Sequence, residues 1–167
     1  GAAALNENIP AALALIPAES RPKVIHQAGD KHLADLQKRY ADLGVNADIR
    51  PFIDDMPAAY SQADLVICRS GAMTVSEIAA CGVASCLIPF PFAIDDHQTA
   101  NAQFLSDAKA AVLLPQQYLN PQDLALMIQN FNREELKEMA LRAHALAKPH
   151  ATQRVAEVCA ECAGVGI

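Results

Sequence analysis

The sequence predicts an α/β fold in which a parallel sheet is covered by helices on both faces. Short apolar runs that are typical of buried strands alternate with helical patterns along the whole chain. Because helical segments, and not tight hairpin turns, separate the strands, successive strands are expected to lie parallel with right-handed crossovers. With 167 residues and a hydrophobic fraction of 52%, the chain is long enough for one domain with its own core.

The strands are predicted from apolar runs that are bounded by Pro, Gly or Asp. Residues 65–68 (Leu-Val-Ile-Cys) are apolar without interruption, as expected for a strand that is buried on both faces. Residues 45–52 alternate imperfectly between apolar and polar side chains. The predicted strands are 23–26, 45–52, 65–68, 84–88 and 111–114.

The helices are predicted from apolar residues at helical spacing and from residues that begin or end helices. Gly44 and Gly82 are expected to end two helices, and Pro10 is expected to lie near the start of the first one. The predicted helices are 6–16, 30–43, 56–62 (capped by Asp54 or Asp55), 71–82 (capped by Ser70), 95–109 (capped by Asp95 or Asp96), one that starts at Asn120-Pro121, one from Asn132 to near Lys148-Pro149, and a terminal helix of about 150–163.

Composition argues against several classes of protein. The net charge of −6 argues against nucleic acid as a partner, because nucleic acid requires clustered Lys and Arg. The longest charge-free stretch, residues 78–94, contains Gly82 and two prolines, so we expect no transmembrane segment. The five cysteines are odd in number and lie mostly in apolar runs, which indicates buried thiols of a reducing compartment. Because the chain starts at Gly1 without Met, we expect a piece of a longer protein.

The turn after the predicted strand 65–68 is the main candidate site. The N–H groups of Ala72, Met73 and Thr74 have no partners within the helix, and Gly71 allows a ligand to approach the backbone. Such a helix start suits a phosphate or diphosphate. Glu77 lies about one and a half turns further on and can accept two hydrogen bonds from sugar hydroxyls. This pattern predicts a nucleotide diphosphate-sugar site, although such a turn can also serve packing alone.

Ligands of parallel sheets bind beyond the carboxyl ends of the strands. The loops to search are therefore 26–29, 51–56, 69–74 and 89–98. The acidic pairs 54–55 and 95–96 are compatible with a metal site, but helix capping is the alternative. Arg69 is expected either to orient its loop, to touch phosphate or to pair with an acid. Cys159 and Cys162 have the spacing of a redox or zinc half-site, without a second pair.

Several motifs carry a family resemblance, and the longest of them is the segment CRSGAMTVSEI (68–78). It is similar to the donor-site signature of the MurG family of UDP-N-acetylglucosamine transferases. FIDDM (52–56), HQAG (26–29) and DHQTANA (96–102) match in the same order, as does the start of the chain at Gly1, Leu5 and Asn6. The resemblance covers essentially the whole chain, as the C-terminal half of the enzyme.

The resemblance implies a GT-B glycosyltransferase with two Rossmann-like domains that face a cleft. Residues 1–167 would be a single UDP-sugar-binding domain, with the terminal helix of about 150–163 crossing to the absent N-terminal domain. The full protein would be an inverting hexosyltransferase that adds N-acetylglucosamine from UDP-N-acetylglucosamine to lipid I, making lipid II for peptidoglycan. It would act in the cytoplasm, peripherally on the inner face of the bacterial cell membrane, in cell wall biogenesis, cell shape and cell division.

The resemblance also implies roles for individual residues. The backbone of Ile53 would read the uracil edge, the helix start would face the diphosphate, Glu77 would bind the ribose hydroxyls, and Gln98 with His97 would contact the sugar. The implied substrate-binding residues are Ile53, Ala72, Met73, Thr74, Val75, Ser76, Glu77, His97 and Gln98, with Ala28 and Arg69 as further candidates. No cofactor and no metal are implied, and the general base is expected in the absent domain, so no catalytic residue is expected in this chain.

Two departures from the family bear on the strength of binding. Many members carry serine at Ala28, where the backbone N–H remains, and arginine at Ala3. Loss of that charged contact is worth about 1.5–3 kcal/mol. We therefore expect the chain to bind donor weakly without turnover. The alternatives are another UDP-sugar enzyme of the same fold, such as a non-hydrolysing epimerase, and a non-catalytic binding domain.

The terminal helix carries an apolar stripe formed by Val155, Val158, Cys159 and Cys162. Without the second domain this stripe would be partly uncovered. We therefore expect it to favour self-association of the isolated chain.

Overall fold

A computed structural model describes residues 3–164, so Gly1, where the family resemblance begins, lies outside the described range. The strands of the described part are β1 (Ile25–Gln27), β2 (Asp48–Arg50), β3 (Val66–Cys68), β4 (Ser85–Leu87) and β5 (Val112–Leu113). The α-helices of this part are α1 (Ala3–Leu15), α2 (Leu33–Asp42), α3 (Met56–Gln62), α4 (Ala72–Cys81), α5 (His97–Ser106), α6 (Pro121–Asn130), α7 (Arg133–Ala145) and α8 (Ala151–Ala163).

All strand pairs in this range are parallel, as predicted. β1 pairs with β2, and β4 lies between β3 and β5. Successive residues of β4 point to opposite faces of the sheet: Cys86 belongs to a core under α1, α2 and α6, and Leu87 to a core under α4, α5 and α7. Helices therefore cover both faces of the three-stranded sheet, while β1 and β2 form a separate two-stranded sheet. The predicted α/β fold class with parallel strands is confirmed.

The predicted helix boundaries are largely correct where a capping side chain sets them. Asp55 accepts a hydrogen bond from the Ala58 N–H at 2.9 Å, which decides between the two predicted caps of α3. Asn120 caps α6, and Asn132 forms a capping box with Glu135 at the start of α7. Gly82 ends α4 with φ of 63°, in the left-handed region that favours glycine.

The first helix differs from the prediction. Pro10 lies inside α1, well after Ala3, and not near the start of the helix. A proline inside a helix removes one backbone hydrogen bond. α1 nevertheless continues through Pro10, since Leu5, Ile9 and Leu13 are buried in the core that α1 shares with α6. Burial of this apolar face outweighs the local cost.

The terminal helix α8 has no buried residue. Val155 is 63% exposed and Val158 41% exposed, so the predicted apolar stripe is uncovered in the described part of the chain. Cys159 and Cys162 lie on the same exposed helix, and Cys81 is also exposed. The expectation of buried thiols is therefore wrong for these three cysteines. Among the helices of residues 3–164, none combines the length and apolar character needed to span a bilayer.

Candidate functional site

The turn from β3 into α4 leaves the first amides of the helix free. α4 begins at Ala72, and its N-cap is Gly71, so the prediction that Ser70 caps the helix is wrong. No side chain of residues 3–164 caps α4, and the first amide bonded back to the N-cap carbonyl is that of Val75. The N–H groups of Ala72 and Met73, both exposed, and of the half-buried Thr74 therefore point out of the helix start.

Ser70 bonds to α5 and does not cap α4 as predicted. Its side chain is fully buried, and the hydroxyl donates to the Gln98 carbonyl of α5 at 2.7 Å. In return, the Asn101 side-chain amide donates to the Ser70 carbonyl at 3.0 Å. This reciprocal pair of hydrogen bonds joins the α4 turn to the first turn of α5. Ser70 cannot cap α4 because its hydroxyl faces the neighbouring helix.

Gly71 is not required by the fold of the described residues. Its φ of −61° is open to any residue. A Cβ placed there would meet only the Thr74 hydroxyl oxygen, at the ordinary contact distance of 3.8 Å. Packing within the chain therefore does not explain a glycine at the mouth of α4. Close approach of a ligand to the backbone at Gly71 stays a prediction.

Glu77 is half-buried on the second turn of α4. Its Oε2 atom accepts a hydrogen bond from the Tyr60 hydroxyl of α3 at 3.1 Å. Within the described residues, Oε1 accepts no hydrogen bond. The carboxylate is thus held by a neutral donor and keeps acceptor capacity for a ligand. Burial raises the pKa of Tyr60, and the charge of Glu77 raises it further, so the hydroxyl stays protonated and donates.

Val75 and Ser76, which the family resemblance also implies as binding residues, make their hydrogen bonds within α4. Val75 is buried in the core, and its N–H donates to the Gly71 carbonyl at 3.0 Å. The Ser76 hydroxyl donates to the Ala72 carbonyl at 2.9 Å. Neither residue therefore offers a free N–H or hydroxyl proton to a ligand in this conformation.

The loop after β4 is tied to the same turn. Gln98 accepts a hydrogen bond from the Phe90 N–H at 3.0 Å through its side-chain oxygen, which leaves its amide NH₂ as the donating group. His97 is exposed at the first position of α5. Asp96 occupies the N-cap position with φ of 49°, but its carboxylate accepts from the Thr99 hydroxyl and not from the backbone.

Arg69 orients this loop. Its guanidinium donates to the carbonyls of Ile88 and Pro89 at 3.1 and 3.0 Å, and to the Gln116 side-chain oxygen at 2.6 Å. It also lies over the Phe90 ring, with 5.4 Å between the guanidinium carbon and the ring centroid. These contacts join Arg69 to the loop after β4, whereas the first of its three predicted roles was to orient its own loop, 69–74. A phosphate contact by Arg69 stays a prediction.

The ends of β1 and β2 differ from the prediction at one amide. The Ala28 N–H donates to the Arg50 carbonyl at 2.8 Å, so the expectation that this N–H remains free for phosphate is wrong. The parallel pairing of the two strands simply continues beyond the last residue of β1. The Ile53 N–H donates to the Gln27 side-chain oxygen at 3.0 Å. The Gln27 side-chain oxygen thus already holds the backbone N–H that is predicted to read the uracil edge.

Behind this edge lies a buried polar network around His26. Its Nε2 atom lies 3.1 Å from the Asn6 side-chain oxygen, and its Nδ1 atom lies 2.9 Å from the Tyr40 hydroxyl. Because an amide oxygen only accepts, Nε2 carries the proton and Nδ1 accepts from Tyr40. Burial lowers the pKa of His26 to about 4. The Asn6 amide also donates to the Ala28 carbonyl at 3.4 Å, which links the network to the loop.

Three residues of this region were missed by sequence reasoning: Tyr60, Asn101 and Gln27. Asn101 carried a usable signal, because it lies three residues after Gln98 and hence on the same face of α5. Gln27 lies in the loop 26–29 that the sequence marks for search, but its contact with Ile53 joins segments that are distant in sequence. The contact of Tyr60 with Glu77 also joins distant segments, and no local pattern indicates it.

Two open surface depressions, of about 310 and 300 Å³, occur in the described part of the chain. One lies along α8, and the other lies between Ser20 and Pro22, in the segment before β1, and the end of α6. No candidate site residue lines either of these depressions. Residues 3–164 also contain no group of three or more His, Cys, Asp or Glu side chains that could hold a metal ion.

Residues 1–157 match the family described as the glycosyltransferase family 28 C-terminal domain. The chain belongs to this glycosyltransferase family. A relative from Polynucleobacter asymbioticus is 87% identical over 167 residues, which are 100% of this chain and 47% of that protein. That protein is named UDP-N-acetylglucosamine–N-acetylmuramyl-(pentapeptide) pyrophosphoryl-undecaprenol N-acetylglucosamine transferase. A protein of the same name from Bordetella parapertussis is 58% identical over 98% of this chain and 46% of its own length. The chain thus spans about half the length of the curated relatives it matches.

Solved structures agree with the family 28 assignment. The crystal structure of Acinetobacter baumannii MurG matches with a TM-score of 0.87 and 45% identity, over 95% of this chain and 48% of that one. A kitacinnamycin glycosyltransferase matches with a TM-score of 0.60 at 18% identity, over 93% of this chain and 38% of that one, and shows likeness of fold alone. The architecture is that of the C-terminal half of a GT-B glycosyltransferase, as the sequence motifs imply.

Proposed function

We propose that this chain is the donor-binding domain of an inverting glycosyltransferase that moves N-acetylglucosamine from UDP-N-acetylglucosamine to lipid I, which yields lipid II. The proposal depends on the open start of α4. The free amides of Ala72, Met73 and Thr74 lie there, three to five residues before Glu77 in the same helix. The names of the close relatives from Polynucleobacter and Bordetella support the same donor and acceptor.

The start of α4 would serve the leaving group of this reaction. Negative charge grows on the UDP diphosphate as the bond to the sugar breaks. Amide donors that are already fixed, together with the positive end of the helix dipole, stabilise that charge without reorganising during the reaction. The acceptor hydroxyl, the C4 hydroxyl of the muramoyl sugar, would attack from the opposite side. The general base would come from the part of the full protein outside this chain, so none of these residues is proposed as catalytic.

The remaining parts of the donor would find partners around this turn. Uracil would take the Ile53 N–H by replacing the Gln27 side-chain oxygen, one carbonyl for another. The ribose hydroxyls would donate to Glu77. The amide NH₂ of Gln98, whose oxygen is already held by the Phe90 N–H, would contact the sugar hydroxyls together with His97. The proposed transfer uses no cofactor and no metal in the donor site.

The whole protein is proposed to act in the cytoplasm, on the inner face of the cell membrane where lipid I is presented. Residues 1–167 are proposed to form one UDP-sugar-binding domain, whose helix α8 crosses to the other domain. The uncovered face of α8 supports this arrangement. Alone, the chain is proposed to bind donor weakly and not to turn it over.

Calorimetric titration of the chain with UDP, UDP-N-acetylglucosamine and UDP-glucose tests the proposal. We expect UDP to supply most of the affinity, and UDP-N-acetylglucosamine to bind more tightly than UDP-glucose. ADP serves as the control for general diphosphate binding. Equal affinity for UDP and ADP, or no heat with any of the uridine ligands, would contradict the proposed function.

A further inference from the structure

We propose that Tyr60 is a positioning residue for donor binding: its hydroxyl holds the Glu77 carboxylate in the orientation that accepts the ribose hydroxyls. The inference rests on the proposed function, in which Glu77 binds the ribose. Tyr60 itself would touch neither the nucleotide nor the sugar.

Helix α3 provides a fixed base for this contact. The Asp55 side chain caps the helix at the Ala58 N–H, which sets where α3 begins. Tyr60 follows in the same short helix, is only 5% exposed, and belongs to the core that contains Val75 and Ile78 of α4. The ring is thus immobilised by packing, and its hydroxyl reaches Glu77 Oε2 at 3.1 Å. The donor and the carboxylate lie on two helices that are packed against each other.

The hydrogen bond from Tyr60 leaves the Glu77 carboxylate able to accept hydrogen bonds from the ribose. An ionised carboxylate offers about four acceptor positions on its two oxygens. Tyr60 uses one of them on Oε2, so three remain for two ribose hydroxyls. A phenol is also neutral, so it restricts rotation of the carboxylate without cancelling the charge that strengthens hydrogen bonds from the ribose. A cation in the same place would compensate that charge.

A buried tyrosine hydroxyl needs a hydrogen-bond partner in any case. The contact with Glu77 would therefore form even if Tyr60 served only the fold. The two explanations differ in their consequences for ligands. If Tyr60 acts only in the fold, its removal weakens binding of all nucleotides alike. If Tyr60 positions Glu77, its removal weakens only those nucleotides that carry ribose hydroxyls.

The test compares UDP with 2′,3′-dideoxyuridine diphosphate, which lacks both hydroxyls. Dissociation constants are measured by NMR titration of the chain, which also reports weak binding. The proteins are the parent chain, Tyr60→Phe, Glu77→Ala and the control Tyr118→Phe, whose side chain is 60% exposed. We expect Tyr60→Phe to weaken UDP binding by about threefold to tenfold, the worth of one hydrogen bond, and to leave the dideoxy ligand unchanged. Tyr118→Phe should match the parent chain with both ligands.

The outcomes separate this inference from the proposed function. If Glu77→Ala removes the preference for UDP over the dideoxy ligand while Tyr60→Phe keeps it, the positioning role of Tyr60 is overturned and the ribose role of Glu77 stands. Equal weakening of both ligands by Tyr60→Phe also overturns the positioning role. If the parent chain shows no preference, or Glu77→Ala retains it, the ribose assignment fails and the role of Tyr60 fails with it. Thermal unfolding of Tyr60→Phe confirms that the variant used is folded.

Discussion

The buried histidine behind the β1–β2 edge predicts how stability depends on pH. His26 is 8% exposed, and burial lowers its pKa from 6.5 to about 4. Its neutral form is fixed by two partners, since Nε2 donates to Asn6 and Nδ1 accepts from Tyr40. Protonation would place a second N–H against a hydroxyl that already donates. The native state therefore holds the histidine neutral where the unfolded chain would protonate it.

The sign and size of the effect follow from linkage. Below pH 6.5 the unfolded chain takes up the proton first, so the free energy of unfolding falls as the pH falls towards 4. The full contribution is present above pH 6.5. One pKa unit corresponds to about 1.4 kcal/mol, so the shift from 6.5 to about 4 removes about 2 kcal/mol between pH 7 and pH 4.5. The Asp48 pKa, lowered by its hydrogen bond with Arg50, adds its effect only below about 3.8.

Urea unfolding at pH 7.0, 6.0, 5.0 and 4.5 measures this effect. His26→Gln keeps an amide donor and acceptor but cannot titrate, so most of the pH dependence over this range should disappear in that variant. His150→Gln removes an exposed histidine and should retain the dependence of the parent chain. If His26→Gln keeps the parent slope, or if the parent chain gains stability as the pH falls, the assignment of a neutral buried His26 is refuted.

Three further predictions concern other parts of the chain. Glu77→Ala should weaken UDP binding by about 1.5–3 kcal/mol through loss of charged hydrogen bonds, as measured by calorimetry, and unchanged affinity would contradict its ribose role. Gly82→Ala should lower the free energy of unfolding by more than Gly44→Ala does. Both glycines have a left-handed φ, which costs about 1–2 kcal/mol for alanine. A Cβ at Gly82 would in addition lie only 3.0 Å from a side-chain carbon of α7, whereas a Cβ at Gly44 would meet no atom within 4 Å. Equal losses in urea unfolding would count against that contact. The exposed stripe at Val155 and Val158 should make the chain self-associate, and size-exclusion chromatography that gives a clean monomer at high concentration would argue against it.

Local signals predicted the parts of the fold that depend on a few neighbouring residues. Asn120-Pro121, Asn132 and Gly82 act where the sequence places them, because a cap or a left-handed turn involves only the residues around it. Pro10 and Ser70 were interpreted wrongly for the opposite reason. Burial of α1 against α6 overrides the local cost of Pro10, and a hydrogen bond to α5 takes the hydroxyl of Ser70 away from α4.

In the candidate site, too, features set by neighbouring residues were predictable and features set by tertiary contacts were not. The open start of α4 was predictable in part, since the first amides of a helix have no partners within it, but the Ser70 cap predicted there is absent. The free N–H expected at Ala28 was not preserved, because strand pairing extends one residue beyond β1. The hydrogen bond between Tyr60 and Glu77 joins residues 17 positions apart in sequence and exists only because α3 packs on α4. Contacts of this kind require the tertiary structure.

The proposed function requires the first amides of α4 to receive a diphosphate. Titration of the ¹⁵N-labelled chain with UDP, followed by amide chemical shifts, locates the bound diphosphate residue by residue. We predict that the amides of Ala72, Met73 and Thr74 shift together with that of Ile53, and that, of these four amides, uridine without phosphates moves only that of Ile53 appreciably. If UDP binds while the three α4 amides keep their positions, the diphosphate lies elsewhere and the account of this site is contradicted.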